Sequence, residues 1–131
     1  MKVKLIKTQE FYPTMKEWWN GHNFEPVSPS MLPEFTFVCY NDNDTPVYSM
    51  CFYNTDSNLA WIGWQISNPK VSKKDTKGCF KLLFEEVEEH AIKNNYQVLF
   101  TTTKHPSVEA TLEGLGFKAG DTTVNQYIKI L

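Results

Sequence analysis

The stretch from Trp61 to Phe117 constrains the fold more than any other part of the chain. Trp61-Ile62-Gly63-Trp64-Gln65-Ile66 is a run of β formers closed by Ser67-Asn68-Pro69. Phe80, Leu83, Phe84, Val87 and Ala91 then recur at i, i+3, i+4, i+7 and i+11, which predicts an amphipathic helix near Thr76–Asn94. Tyr96–Thr103 reads as a second strand. Ser107–Leu115 reads as a shorter helix stopped by Gly116-Phe117. A strand–helix–strand crossover of this length predicts two parallel neighbours in one sheet.

Between the first strand and its helix lies Lys70-Val71-Ser72-Lys73-Lys74-Asp75-Thr76-Lys77-Gly78-Cys79. Five lysines, Lys81 included, stand here against one aspartate, in a chain of net charge −2. Helix starts favour acids, because their unpaired N–H groups carry partial positive charge. The acids sit instead in mid-helix, at Glu85, Glu86, Glu88 and Glu89. Lysines, free N–H groups and Gly78 together would suit a bound phosphate. The alternative is a solvated lysine-rich turn. All 13 basic residues are lysine, so a phosphate would meet point charges without a bidentate guanidinium.

A length of 131 residues fits one domain spanning 1–131, and 41% hydrophobic residues suit a globular α/β core. No apolar run is long enough to span a membrane, and Met1-Lys2-Val3-Lys4-Leu5 lacks a signal-peptide core, so a cytoplasmic location is expected. The near-neutral charge argues against nucleic acid as a partner. Cys39, Cys51 and Cys79 are too widely spaced for a disulfide framework or a zinc knuckle. Cys39 and Cys51 read as small core residues. Cys79, near a helix start, is an inert thiol or a nucleophile without an evident base. Asn41-Asp42-Asn43-Asp44 is a hairpin turn. Val47 and Tyr53 stand where a calcium loop needs Gly and Glu, so no metal site is expected.

Residues 1–7 alternate as a half-buried strand. Pro13 suits the first turn of a helix ended by Gly21, with Met15, Trp18 and Trp19 on one face. A loop with Pro26, Pro29 and Pro33 leads to the strand Phe35–Tyr40, the return strand Val47–Tyr53 and a turn at Asn54–Asn58. After Gly120-Asp121, Val124, Gln126, Ile128 and Ile130 alternate with Asn125, Tyr127 and Lys129, which predicts a last strand.

This order, with these residues, resembles the GNAT superfamily of acyl-CoA-dependent N-acyltransferases. Pro69 closes the strand as in that family. Lys73-x-x-Thr76-x-Gly78 stands where it carries Arg/Gln-x-x-Gly-x-Gly/Ala, and the last glycine matches. His105, Leu112 and Gly116-Phe117 stand where many members read Asn-x-x-x-x-x-x-Tyr-x-x-x-Gly-Phe. The resemblance implies one mixed, mostly antiparallel sheet flanked by helices, with a central parallel pair splayed into a cleft. It implies acetyl-CoA as cofactor and an amine of a small molecule or protein as acceptor, and it allows a homodimer. Backbone around Trp64, Ile66 and Asn68 would pair with the pantetheine arm. Lys73, Lys74, Thr76, Lys77, Gly78 and Cys79 would hold the phosphates. Trp18, Trp19, His22 and Phe24 would line the acceptor pocket. Leu112 replaces the family's acid tyrosine, and Gly63 and Gln65 offer no acidic base. His105, whose ordinary pKa lies near neutrality, is the substitute, or else a helix cap. His22 is a second candidate; His90, among glutamates, reads as a surface residue. A non-catalytic protein that binds CoA or a partner is the rival reading.

Overall fold

The computed structural model describes all of residues 1–131. Five strands form one sheet in the order β1 (Lys2–Lys7), β2 (Phe35–Tyr40), β3 (Pro46–Tyr53), β4 (Leu59–Ser67) and β5 (Val98–Thr101). β1 to β4 are antiparallel neighbours, and β5 lies parallel to β4. The helices are α1 (Thr8–Gly21), α2 (Lys73–Lys93) and α3 (Pro106–Gly114). None is long and apolar enough to cross a membrane.

Alternation along the strands builds two apolar faces. Phe37, Cys39, Met50, Phe52, Ala60 and Ile62 meet Cys79, Phe80, Leu83, Phe84, Val87 and Ala91 of α2, and Leu112 of α3. The helical spacing read in the sequence is therefore the buried face of α2. On the opposite side Val38, Cys51 and Ile66 meet Phe11, Met15, Trp18 and Trp19 of α1.

Three expectations are corrected. α1 begins at Thr8, so Pro13 lies inside it rather than in its first turn. The chain turns from β1 directly into the helix because Thr8 N–H donates to the Glu34 carbonyl, and the Thr8 and Thr36 hydroxyls meet at 2.8 Å in the core. α2 begins at Lys73, three residues earlier than expected. Ser72 caps it by accepting from Asp75 N–H at 3.1 Å. Residues 118–131 form no strand and are exposed, so the parallel pair lies at the edge of the sheet and not at its centre.

β4 carries one extra residue. Ser49 pairs with Ile66 and Cys51 with Gly63, so two steps on β3 face three on β4. Trp64 takes up the difference with φ +52°, which is costly for a side chain of its size. The extra residue reverses the alternation: Ile62 faces α2, whereas Ile66 faces α1.

Candidate active site

The site begins where β4 and β5 part. They pair from Leu59 with Val98 to Ile62 with Thr101, and no further. At the fork Thr101 Oγ1 donates to the Ile62 carbonyl at 2.9 Å and accepts from Gln65 Nε2 at 2.6 Å. One side chain thus spans the point of divergence. Beyond it one edge of β4 has no strand beside it. Asn68 N–H donates to the Val47 carbonyl at 2.8 Å, toward β3. Alternation then turns the backbone groups of Ser67 and Gln65 toward the open side, and those of Ile66 toward β3. Of the expected set Trp64, Ile66 and Asn68, the last two direct their backbone at β3. The Asn68 side chain is also engaged, donating to the Pro46 carbonyl and accepting from Lys70 N–H at 2.9 Å each.

Below the fork is a cleft of about 990 Å³ between the end of β4, the start of α2 and one face of α3. Lys73, Thr76, Lys77 and Lys81 line it, at i, i+3, i+4 and i+8 on a single face of α2. Tyr48 and Phe80 form apolar lining, in edge-to-face contact at 5.2 Å. Ser107, Val108 and Thr111 of α3 face them. Lys74, Gly78 and Cys79 are not part of this lining. The helix starts so early that these positions turn away from it. A Cβ on Gly78 would point at Met1, 2.8 Å from its Cε. Cys79 is fully buried in the core, and burial pushes its thiol up, away from a reactive thiolate.

His22 enters the cleft from α1. Gly21 lets the helix end close on β4, since a Cβ there would lie 2.7 Å from Pro69 Cγ. The imidazole Nε2 lies 2.9 Å from the Ser67 carbonyl and 3.2 Å from the Ser67 hydroxyl, and the ring stacks on Phe24 at 5.7 Å. A carbonyl only accepts, so Nε2 is the donor in this contact, and the tautomer that carries Nε2–H leaves Nδ1 as the acceptor. Of the expected acceptor residues, His22 is in the cleft. Phe24 is half exposed behind it, and Trp18 and Trp19 are buried under α1. The paired tryptophans face the sheet because they continue the spacing of Phe11 and Met15.

His105 is exposed and does not line the cleft. It is the N-cap residue of α3, and its carbonyl accepts from Val108 and Glu109 N–H at 3.0 Å each. Leu112 is buried against the α2 core. Tyr48 was not singled out by sequence reasoning. Its cross-strand partner is Ser67, it faces α2, and burial pushes its phenol up, keeping it neutral. The alternation of β3 was the signal that could have found it.

No family model matches the sequence, and no curated protein matches it. Solved structures do match in shape. One described as a probable acetyltransferase has TM-score 0.73 at 10% identity, covering 99% of this chain and 98% of that one. An aminoglycoside acetyltransferase from an uncultured soil metagenomic sample, solved with sisomicin, has TM-score 0.70 at 12% identity, covering 98% and 95%. This chain has the GNAT fold. An acetyltransferase from Trypanosoma brucei shares it too, with TM-score 0.64 at 14% identity over 97% of this chain and 99% of that one. At such identities the likeness is one of GNAT architecture.

Proposed function

We propose that this GNAT-fold chain is an N-acetyltransferase that moves an acetyl group from acetyl-CoA to an amine of a small molecule or protein. The observation that carries the proposal is the cleft itself. An open edge of β4 leads into it, and Lys73, Lys77 and Lys81 line it from the start of α2. The donor set fits CoA. Lysine ammonium groups and unpaired N–H groups at a helix start suit the phosphates, and the Ser67 N–H on the open edge, whose carbonyl already accepts from His22, suits an amide-bearing arm.

Acetyl-CoA would supply an activated thioester, whose carbonyl carbon forms the new C–N bond as its C–S bond breaks. The chain's part is to position and to move protons. His22 Nδ1 would accept the proton that the acceptor amine loses, with Nε2 held by the Ser67 carbonyl. The neutral Tyr48 phenol lines the same cleft and would return a proton to the leaving thiolate. His105, outside the cleft, would act as a helix cap.

Calorimetry with CoA and dephospho-CoA, followed by an acetylation assay over a panel of amines, tests the reading. Binding that vanishes in Lys73→Glu/Lys77→Glu supports the site; equal affinity in that variant refutes it. The rival reading, a CoA-binding protein without catalysis, draws on Leu112, which packs in the core where a family tyrosine would stand. Tight CoA binding with no acetylation of any amine would favour it.

A further inference from the structure

The open edge of β4 runs from Ser67 past Gln65 and closes where Ile62 pairs with Thr101. At that closure the Gln65 amide donates to Thr101 Oγ1 at 2.6 Å, and the hydroxyl donates on to the Ile62 carbonyl at 2.9 Å. A hydroxyl used in both directions holds the amide in one orientation, across the fork. Thr101 shares the side of Ile62, which packs on α2, so the bridge stands on the side of the cleft. The other face of the sheet carries a floor of rings. Trp61 pairs with Tyr53 on β3 and with Phe100 on β5, and alternation turns all three away from α2. The Trp61 ring lies 4.8 Å from that of Tyr53 and meets Trp64 edge-on at 6.2 Å. A Cβ on Gly63 would stand 2.9 Å from the Trp61 indole, so this ring leans along β4 toward the fork. Phe100, beside it, is half exposed. Gln65 thus divides a lysine-lined cleft from an aromatic surface.

We infer, on the reading of the cleft as an acetyl-CoA site, that the Gln65–Thr101 bridge limits the length of the acyl group. Phosphates held at Lys73 and Lys77 and an arm paired at Ser67 would bring the thioester end toward Gln65, the direction in which the open edge continues. An acetyl group, with one carbon beyond its carbonyl, would need no room past the amide. A longer acyl chain would have to pass through the fork where the amide stands. Displacing the amide breaks its bond to Thr101 and leaves a part-buried donor without a partner. A short side chain at position 65 removes this obstacle. The acyl chain would then reach Trp61, Trp64 and Phe100, an apolar surface that suits methylenes.

Calorimetry with CoA, acetyl-CoA and octanoyl-CoA reads the effect without turnover. The unaltered chain should bind CoA and acetyl-CoA alike and octanoyl-CoA about tenfold more weakly or worse, the scale of forcing methylenes into filled space. Gln65→Ala should remove that gap and leave CoA affinity unchanged. Thr101→Val, which frees the amide while keeping its volume in place, should narrow the gap. Adding Phe100→Ser to Gln65→Ala should weaken octanoyl-CoA again and spare CoA. Circular dichroism checks that the variants fold, and Gln65→Ser replaces Gln65→Ala if the latter does not. If CoA itself fails to bind the unaltered chain, the acetyl-CoA reading falls and the inference with it. CoA binding without discrimination against octanoyl-CoA, or discrimination that survives Gln65→Ala, overturns the inference and leaves that reading standing.

Discussion

Gly116 follows α3 with φ +93°, a backbone that a Cβ strains, and no atom lies near where that Cβ would go. Gly116→Ala should therefore lower stability through backbone strain alone, by about 1–2 kcal/mol, read as a drop in Tm. The Gly116-Phe117 signal in the sequence had this local cause. Phe117 N–H donates back to the Leu112 carbonyl, and its ring packs edge-to-face on Phe84 at 5.5 Å. Gly78 is the contrasting case. Its φ is not positive, and the atom facing it is the flexible end of Met1. Gly78→Ala should leave CoA affinity unchanged in calorimetry, although the sequence pointed to this glycine as part of the phosphate cradle. The three thiols are fully buried, and burial pushes Cys51 up to about 12. No thiol should react with a disulfide reagent at neutral pH until the protein is unfolded.

α2 shows what periodicity conveys and what it omits. The positions Phe80, Leu83, Phe84, Val87 and Ala91 were legible as a buried stripe, and all five are buried. The start of the helix was not, because the lysines masked the local Ser72-x-x-Asp75 cap, where Asn41 Nδ2 also donates to Asp75 at 3.1 Å. Lys73 and Lys77 face the cleft because they are one helical turn apart, whereas Gly78 and Cys79 are rotated out of it. His90 was read as a surface residue from its glutamate neighbours. Its ring instead packs edge-to-face on Phe37 at 5.2 Å and Phe52 at 4.9 Å. Partial burial, and secondarily the Lys93 charge, lower its pKa below the ordinary 6.5. The unfolded chain therefore binds more protons in that window. The stability that neutral His90 contributes is complete above pH 6.5 and is lost as pH falls through the lowered folded value. Urea midpoints should fall between pH 7.5 and pH 5.5, and His90→Gln should remove part of that fall.

For the molecule as a whole, charge is divided between a lysine-lined cleft and an acidic remainder, so ligand affinity should depend on salt. CoA binding should weaken as ionic strength rises past the point where the Debye length, about 8 Å at physiological salt, becomes shorter than the lysine-to-phosphate spacings. Unchanged affinity between low and high salt would exclude the lysine face. The mixed sheet was legible because tight turns force antiparallel neighbours and a helical crossover forces a parallel one. The placement of β5 at the edge was not, since alternation in residues 124–130 says that a strand is possible without saying where it pairs. Nor was the extra residue in β4, because nothing in Trp64-Gln65 marks a bulge. That residue sets a reading frame for everything after it. Upstream, even-numbered positions such as Ala60 and Ile62 serve the α2 core; downstream, odd-numbered Ser67 reaches the cleft while Ile66 serves α1. Deleting Gln65 would restore a regular ladder and leave composition almost untouched. Ile66 and Ser67 would keep Ser49 and Tyr48 as partners and so keep their sides, but the fork would lose the amide that ties it to Thr101.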